Sequence, residues 1–102
     1  MKKPIVSLCI SPVLIAKSVE NTSYRPLLSL GSTEQASDYN IVDIHNKIAS
    51  FGVKTMNTSI NEICVDEDLK IISAPCYMMD VSIHQVFSNI QQAIIKLKSF
   101  LV

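Results

Sequence analysis

Three cysteines (Cys9, Cys64, Cys76), two histidines (His45, His84) and the acidic run Asp66-Glu67-Asp68 are the side chains in this sequence whose types suit chemistry. Cys9 has the most distinctive setting. It lies at the end of an apolar, β-prone run, Pro4 to Ile10, and just before Ser11-Pro12, a pair suited to open a helix. A cysteine on a tight turn between a strand and a helix sits over the helix N-terminus. There the dipole and free N–H groups favour thiolate, the nucleophilic form. This is the geometry of a nucleophile elbow without its G-x-S-x-G letters. The alternative is a packed, inert thiol, which is common for cysteine.

A working thiol needs a base within hydrogen-bond reach. His45 and His84 both fall in helical stretches, opposite or beside the apolar stripe, so both read as surface histidines. Three cysteines, an odd number without C-x-x-C spacing, argue against a disulfide framework and against a zinc site. Cys64 and Cys76 read as packed residues. The acidic run falls at a hairpin turn and matches no EF-hand spacing, so it reads as solvated. Neither a metal nor a cofactor is expected.

The elements that must position Cys9 follow from the pattern. After the Pro4–Ile10 strand, residues 13–19 form a helix and 21–26 a polar loop. Leu27–Leu30 reads as a strand closed by Gly31. Ile41, Ile44, Ile48 and Phe51 mark one face of a second helix that ends at Gly52. Val53–Met56 is a brief strand. Glu62–Val65 and Lys70–Ala74 flank the acidic turn as a hairpin. Ile83, Val86, Phe87, Ile90, Ile94, Leu97 and Leu101 form a long stripe on a final helix, with Ser82 and Gln85 as a capping box. The order β-α-β-α-β-(β-β)-α predicts an α/β fold with a mainly parallel sheet.

Apolar residues make up 48% of the 102 residues and charged residues 18%, a globular balance for one domain over 1–102. Formal net charge is zero and no Lys/Arg block is present, which argues against nucleic acid as a partner. No apolar run approaches the roughly 20 residues of a membrane span, so no membrane partner is expected. Ser7, Cys9, Ser11 and Pro12 interrupt the apolar stretch after Met1-Lys2-Lys3-Pro4, and no cleavage site of a signal peptide follows. The expected location is cytoplasmic.

Residues 3–12 (KPIVSLCISP) resemble the "KKP-IGAICIAPA" stretch of the enhancing lycopene biosynthesis (ElbB-type, isoprenoid biosynthesis) proteins. Those proteins belong to the class I glutamine amidotransferase-like superfamily. The likeness continues in order. Leu30-Gly31 matches a "TIG" strand end and Gly52-Val53-Lys54 a "GA" after the second helix. Residues 62–66 (EICVD) match "DEIVVD", and residues 70–78 (KIISAPCYM) match "KIVTTPAYM". Cys76 stands where the family has Ala, and Thr55 stands where it has the histidine of "GAEH". The family's "CP" becomes Thr58-Ser59.

The resemblance implies a partial flavodoxin-like three-layer fold, with helices on both faces of the sheet and a small β-hairpin. It covers only the C-terminal half of a family about twice as long. The other half would carry the first sheet strands, a glycine-rich turn and an acidic residue facing the cysteine. Met1 therefore reads as a restart, a split gene or a truncated reading frame. Superfamily members often take a histidine from directly after the elbow, where this chain has Ile10, or from late in the chain. Two functions follow. One is a truncated or split ElbB-type protein without independent catalysis, which pairs with an N-terminal-half polypeptide or forms a homo-oligomer. The other is a glyoxalase- or amidotransferase-like enzyme acting through Cys9 on a small carbonyl or amide. Tyr77 and Met78 either line the cleft near Cys9 or join strand to helix.

Overall fold

The computed structural model describes residues 3–101; the Met1-Lys2 part of the N-terminal expectation lies outside them. In chain order the elements are β1 (Ile5–Leu8), α1 (Pro12–Ser18), β2 (Leu27–Leu28), α2 (Ile41–Ala49), β3 (Lys54–Thr55), β4 (Cys64–Asp66), β5 (Ile71–Ala74), a 3-10 turn (Cys76–Met78) and α3 (Ile83–Phe100). This is the predicted order, with most of the strands trimmed at their ends. The fold is α/β.

β5 is the centre of a three-stranded sheet. It runs parallel to β1, from Ile5↔Ile71 to Leu8↔Ala74, and antiparallel to β4, so the predicted hairpin is present. All four β5 residues are buried because helices cover both faces. Ile72 and Ala74 face α3 beside Val6, Leu8, Val86 and Ala93. Ile71 points the other way, towards Ala16 of α1, Ile48 of α2, Leu28 and Val53. That alternation is the period-two geometry of a strand, and each such isoleucine stabilises the fold by about 1.5–3 kcal/mol. β1 departs from the buried strand that its composition predicts. It forms one edge of the sheet, and Ile5 is 45% exposed.

β2 and β3 make a second, two-stranded parallel sheet. Side chains tie it to the first. The Leu27 N–H donates to Asp66 Oδ2 at 2.8 Å and the Ser29 N–H to Ser73 Oγ at 3.1 Å. Asp66 is thus not the solvated turn carboxylate that its acidic neighbours suggest. It is half-buried, and its other oxygen accepts the Leu69 N–H at 2.9 Å. One short side chain closes the hairpin turn and joins the two sheets.

The helix ends follow local chemistry. Asn40 Oδ1 accepts the Asp43 N–H to cap α2, and Gly52 leaves the helix at φ 101°. Both hydrogen bonds of the Ser82/Gln85 capping box are present. Ser11 does not cap α1 by its side chain: its hydroxyl donates to the Leu8 carbonyl at 2.8 Å and pairs with Ser7 Oγ. On α3 the buried residues are Val86, Asn89 and Ala93, while Ile83 and Phe87 are 70% and 64% exposed. The apolar stripe is wider than the strip of α3 that the three-stranded sheet covers. No helix among the described residues is long and apolar enough to cross a membrane.

Candidate functional site

β1 and β5 are parallel, so their carboxyl ends open on the same side, the edge at which α/β sheets commonly hold ligands. Each strand is followed at once, or after one proline, by a cysteine in the left-handed region: Cys9 at φ 57° and Cys76 at φ 49°. That conformation costs an L-residue roughly 1–2 kcal/mol, and it turns the chain sharply out of the strand.

Cys9 extends the ladder by one step, donating its N–H to the Ala74 carbonyl at 3.0 Å. Its half-buried side chain packs against the cluster of Leu30, Ile41 and Met78. The amides at the start of α1 are spoken for. Ser11 N–H goes to Leu8 O, Val13 N–H to Ile10 O and Leu14 N–H to Ser11 O, at 2.9–3.1 Å, and Pro12 has none. Direct donation to a Cys9 thiolate, as the strand-turn-helix pattern suggests, is therefore not available from these groups.

Cys76 is fully buried. Its N–H donates to Asn89 Oδ1 at 2.9 Å, and Asn89 Nδ2 donates to the Glu62 carbonyl at 2.8 Å. Asn89 is the structural residue that reading the apolar stripe passes over. Its signal is its spacing, since it lies three residues after Val86 and four before Ala93 on the covered face. Cys9 packs against the same apolar cluster that contains Cys76. Burial first, then the negative charge at Cys9, pushes the Cys76 thiol up to about 12.

The neighbouring loops are closely fitted. Gly31, at φ 136°, follows β2, and a Cβ there would stand 2.6 Å from Met79 Sδ. The Ser37 hydroxyl donates to the Met78 carbonyl. Met78 is buried and Tyr77 exposed, so of this pair it is Met78 that packs beside Cys9.

His45 corrects the sequence reading. It is only 7% exposed, and its Nε2 accepts the Leu30 N–H at 3.1 Å, which puts its remaining proton on Nδ1. Burial lowers its pKa below the ordinary value. Ile41, His45 and Ile48 share the buried face of α2, so the histidine lies within the stripe rather than beside it. His84 is exposed in the first turn of α3. Cys64 is buried under β2, 3.7 Å from the Leu27 carbonyl, and burial raises its thiol. A cleft of about 440 Å³ lies beside the hairpin turn, lined by Arg25, Lys54, Asp66 and Glu67 and by none of the cysteines.

Comparison with known proteins bears on the fold. No family model matches the chain. The rat protein described as "ES1 protein homolog, mitochondrial" is 26% identical over 90 residues, which is 87% of this chain and 32% of that protein. The chain thus spans about a third of the length of the curated relative that it matches. A crystal structure of an isoprenoid biosynthesis protein with amidotransferase-like domain from Ehrlichia chaffeensis superposes with a TM-score of 0.82 at 23% identity. That match covers 99% of this chain and 42% of the other, an extent consistent with resemblance to a C-terminal half. The chain has the α/β fold of part of an amidotransferase-like domain, with Cys9 and Cys76 at the carboxyl ends of its parallel strands.

Proposed function

We propose that this chain carries the elbow-cysteine half of an ElbB-type, amidotransferase-like site, and that these 102 residues alone do not catalyse. The observation that carries the reading is the contrast around Cys9. Cys9 sits half-buried on a left-handed strand-to-helix turn, while the chain's one buried histidine spends its Nε2 lone pair on the Leu30 amide. A nucleophile is presented, and the base that it needs comes from further protein. The edge position of β1 and the exposure of Ile5 support the same view, since an additional strand on that edge would pair its backbone and cover its side chain. An N-terminal-half polypeptide or a second copy of the chain would supply it.

In the completed site, Cys9 Sγ attacks the carbon of a small carbonyl or amide, the substrate class suggested by the amidotransferase-like fold. The strained turn favours a second reading, an enzyme active as it stands, because strain of this kind gathers at working sites. One experiment separates the two. The purified chain is incubated with methylglyoxal and, separately, with glutamine, and lactate and ammonia are measured against a Cys9→Ala control. No Cys9-dependent product is expected from the chain alone, and product is expected once an N-terminal-half polypeptide is co-expressed. Cys9-dependent turnover by the chain alone would overturn the first reading and establish the second.

A further inference from the structure

We infer that Cys9 and Cys76 form a dithiol that a hydroperoxide closes to an intrachain disulfide. The inference goes beyond the proposed function, because it does not require Cys9 to act on any substrate.

The ladder brings the two residues together. Leu8 stands opposite Ala74, and the Cys9 N–H bonds the Ala74 carbonyl, so Cys9 and Cys76 follow neighbouring strand ends. Adjacent strands lie about 4.8 Å apart, and disulfides span Cα separations of about 4.4–6.8 Å. Cys9 and Cys76 stand one residue out of register just beyond the paired ends. Both residues also turn out of their strands through the same left-handed conformation, and both side chains pack into the one apolar cluster that holds Leu8 and Ala74. The third cysteine, Cys64, is buried near the Leu27 carbonyl in β4, across β5 from β1.

The two thiols differ in access, which orders the chemistry. Cys9 is half-buried and Cys76 sealed, so the peroxide meets Cys9 first. The Cys9 thiolate attacks the peroxide oxygen, the O–O bond breaks, and the alkoxide leaves as an alcohol after taking a proton. Cys9 becomes a sulfenic acid. Cys76 sulfur then attacks Cys9 sulfur; its proton leaves with the departing hydroxyl as water. The net change is two thiols and one hydroperoxide to one disulfide, one alcohol (water, for hydrogen peroxide) and one water.

The test treats the folded chain with a small molar excess of hydrogen peroxide, blocks free thiols, and maps digested peptides without reduction. The expected product is a Cys9 peptide linked to a Cys76 peptide, lighter by two hydrogens than the free pair, with Cys64 still a thiol. In Cys76→Ala, dimedone should trap several-fold more Cys9 sulfenic acid than in the unaltered chain. If the unaltered chain gives only Cys9 sulfinic or sulfonic acid, or only intermolecular Cys9 disulfides, the proposal is overturned. Because the mapping uses the unaltered chain, it decides even where the variant fails to fold. Absence of the link leaves the proposed function untouched, and absence of turnover leaves the dithiol untouched.

Discussion

The ends of β1 and β5 are neighbouring turns built on the same backbone conformation, yet they hold their cysteines by different means. At Cys9 the anchor is main chain, the N–H reaching the Ala74 carbonyl across the ladder, and the residue is only half-buried. At Cys76 the anchor is a side chain, Asn89 reaching down from α3, and the thiol is sealed. Strand register therefore decides where each thiol sits, and the element laid over it decides what it can react with. Two cysteines with nearly equal φ become an accessible group and a protected one.

The largest expected difference is in alkylation. A thiol pushed up to about 12 is ionised in only about one molecule in 10⁴ at pH 8, and burial protects it further. Iodoacetamide should label Cys9 faster than Cys76 by on the order of a hundredfold or more, read by mass spectrometry over time. Equal rates would erase the contrast between the turns. Next comes Asn89→Ala, which strands the Cys76 N–H and the Glu62 carbonyl in a buried setting. It should cost about 2–4 kcal/mol in urea unfolding, and a loss below about 1 kcal/mol would mean the Cys76 turn does not depend on its side-chain anchor.

The wall beside Cys9 offers a subtler probe, because Leu30 packs there and its amide is held by His45. His45→Ala should cost about 1–3 kcal/mol by leaving that amide unpaired. Burial lowers the folded pKa of His45 below its ordinary 6.5, so the unfolded chain takes up the proton first on acidification. The stability contributed is whole above about pH 6.5 and declines as pH falls towards the folded value. Denaturation midpoints from pH 8 to 5 should show this slope in the unaltered chain and a flatter profile in His45→Gln, which keeps an acceptor but cannot titrate. Identical profiles would assign the acid sensitivity elsewhere.

The smallest effects should come from glycine at each turn. Cys9→Gly relieves a left-handed residue at little packing cost, and should be neutral or stabilising by about 1 kcal/mol. Cys76→Gly gains the same relief but empties a buried site, so its net effect should be destabilising. Similar shifts in thermal midpoint for both would show that α3 does not treat the two positions differently.

Much of this arrangement is legible in the sequence where the governing forces are local. The Ser82/Gln85 capping box starts α3 where the pattern puts it, Gly52 ends α2, and the β-prone runs around Asp66 do form a hairpin. The strand-turn-helix setting of Cys9 is likewise present, because it depends on a short apolar run followed by Ser-Pro. Polar residues inside helices are less legible. His45 and Asn89 each share spacing with buried apolar neighbours, but a polar letter within a stripe reads equally well as a gap in it. Only a partner from elsewhere, the Leu30 amide or the Cys76 amide, makes burial favourable.

By itself the amino-acid order determined the sequence of elements, their caps and the position of Cys9 at a strand end, since capping, turn formation and periodicity act over a few residues. Tertiary structure alone decided that Asp66 joins two sheets, that His45 is buried with its pKa lowered, and that Cys76 and Cys9 share one apolar cluster. Each of those outcomes depends on contacts between segments distant in the chain. The register of β1 against β5 and the placement of α3 over them set which side chains meet, and no local pattern encodes that meeting.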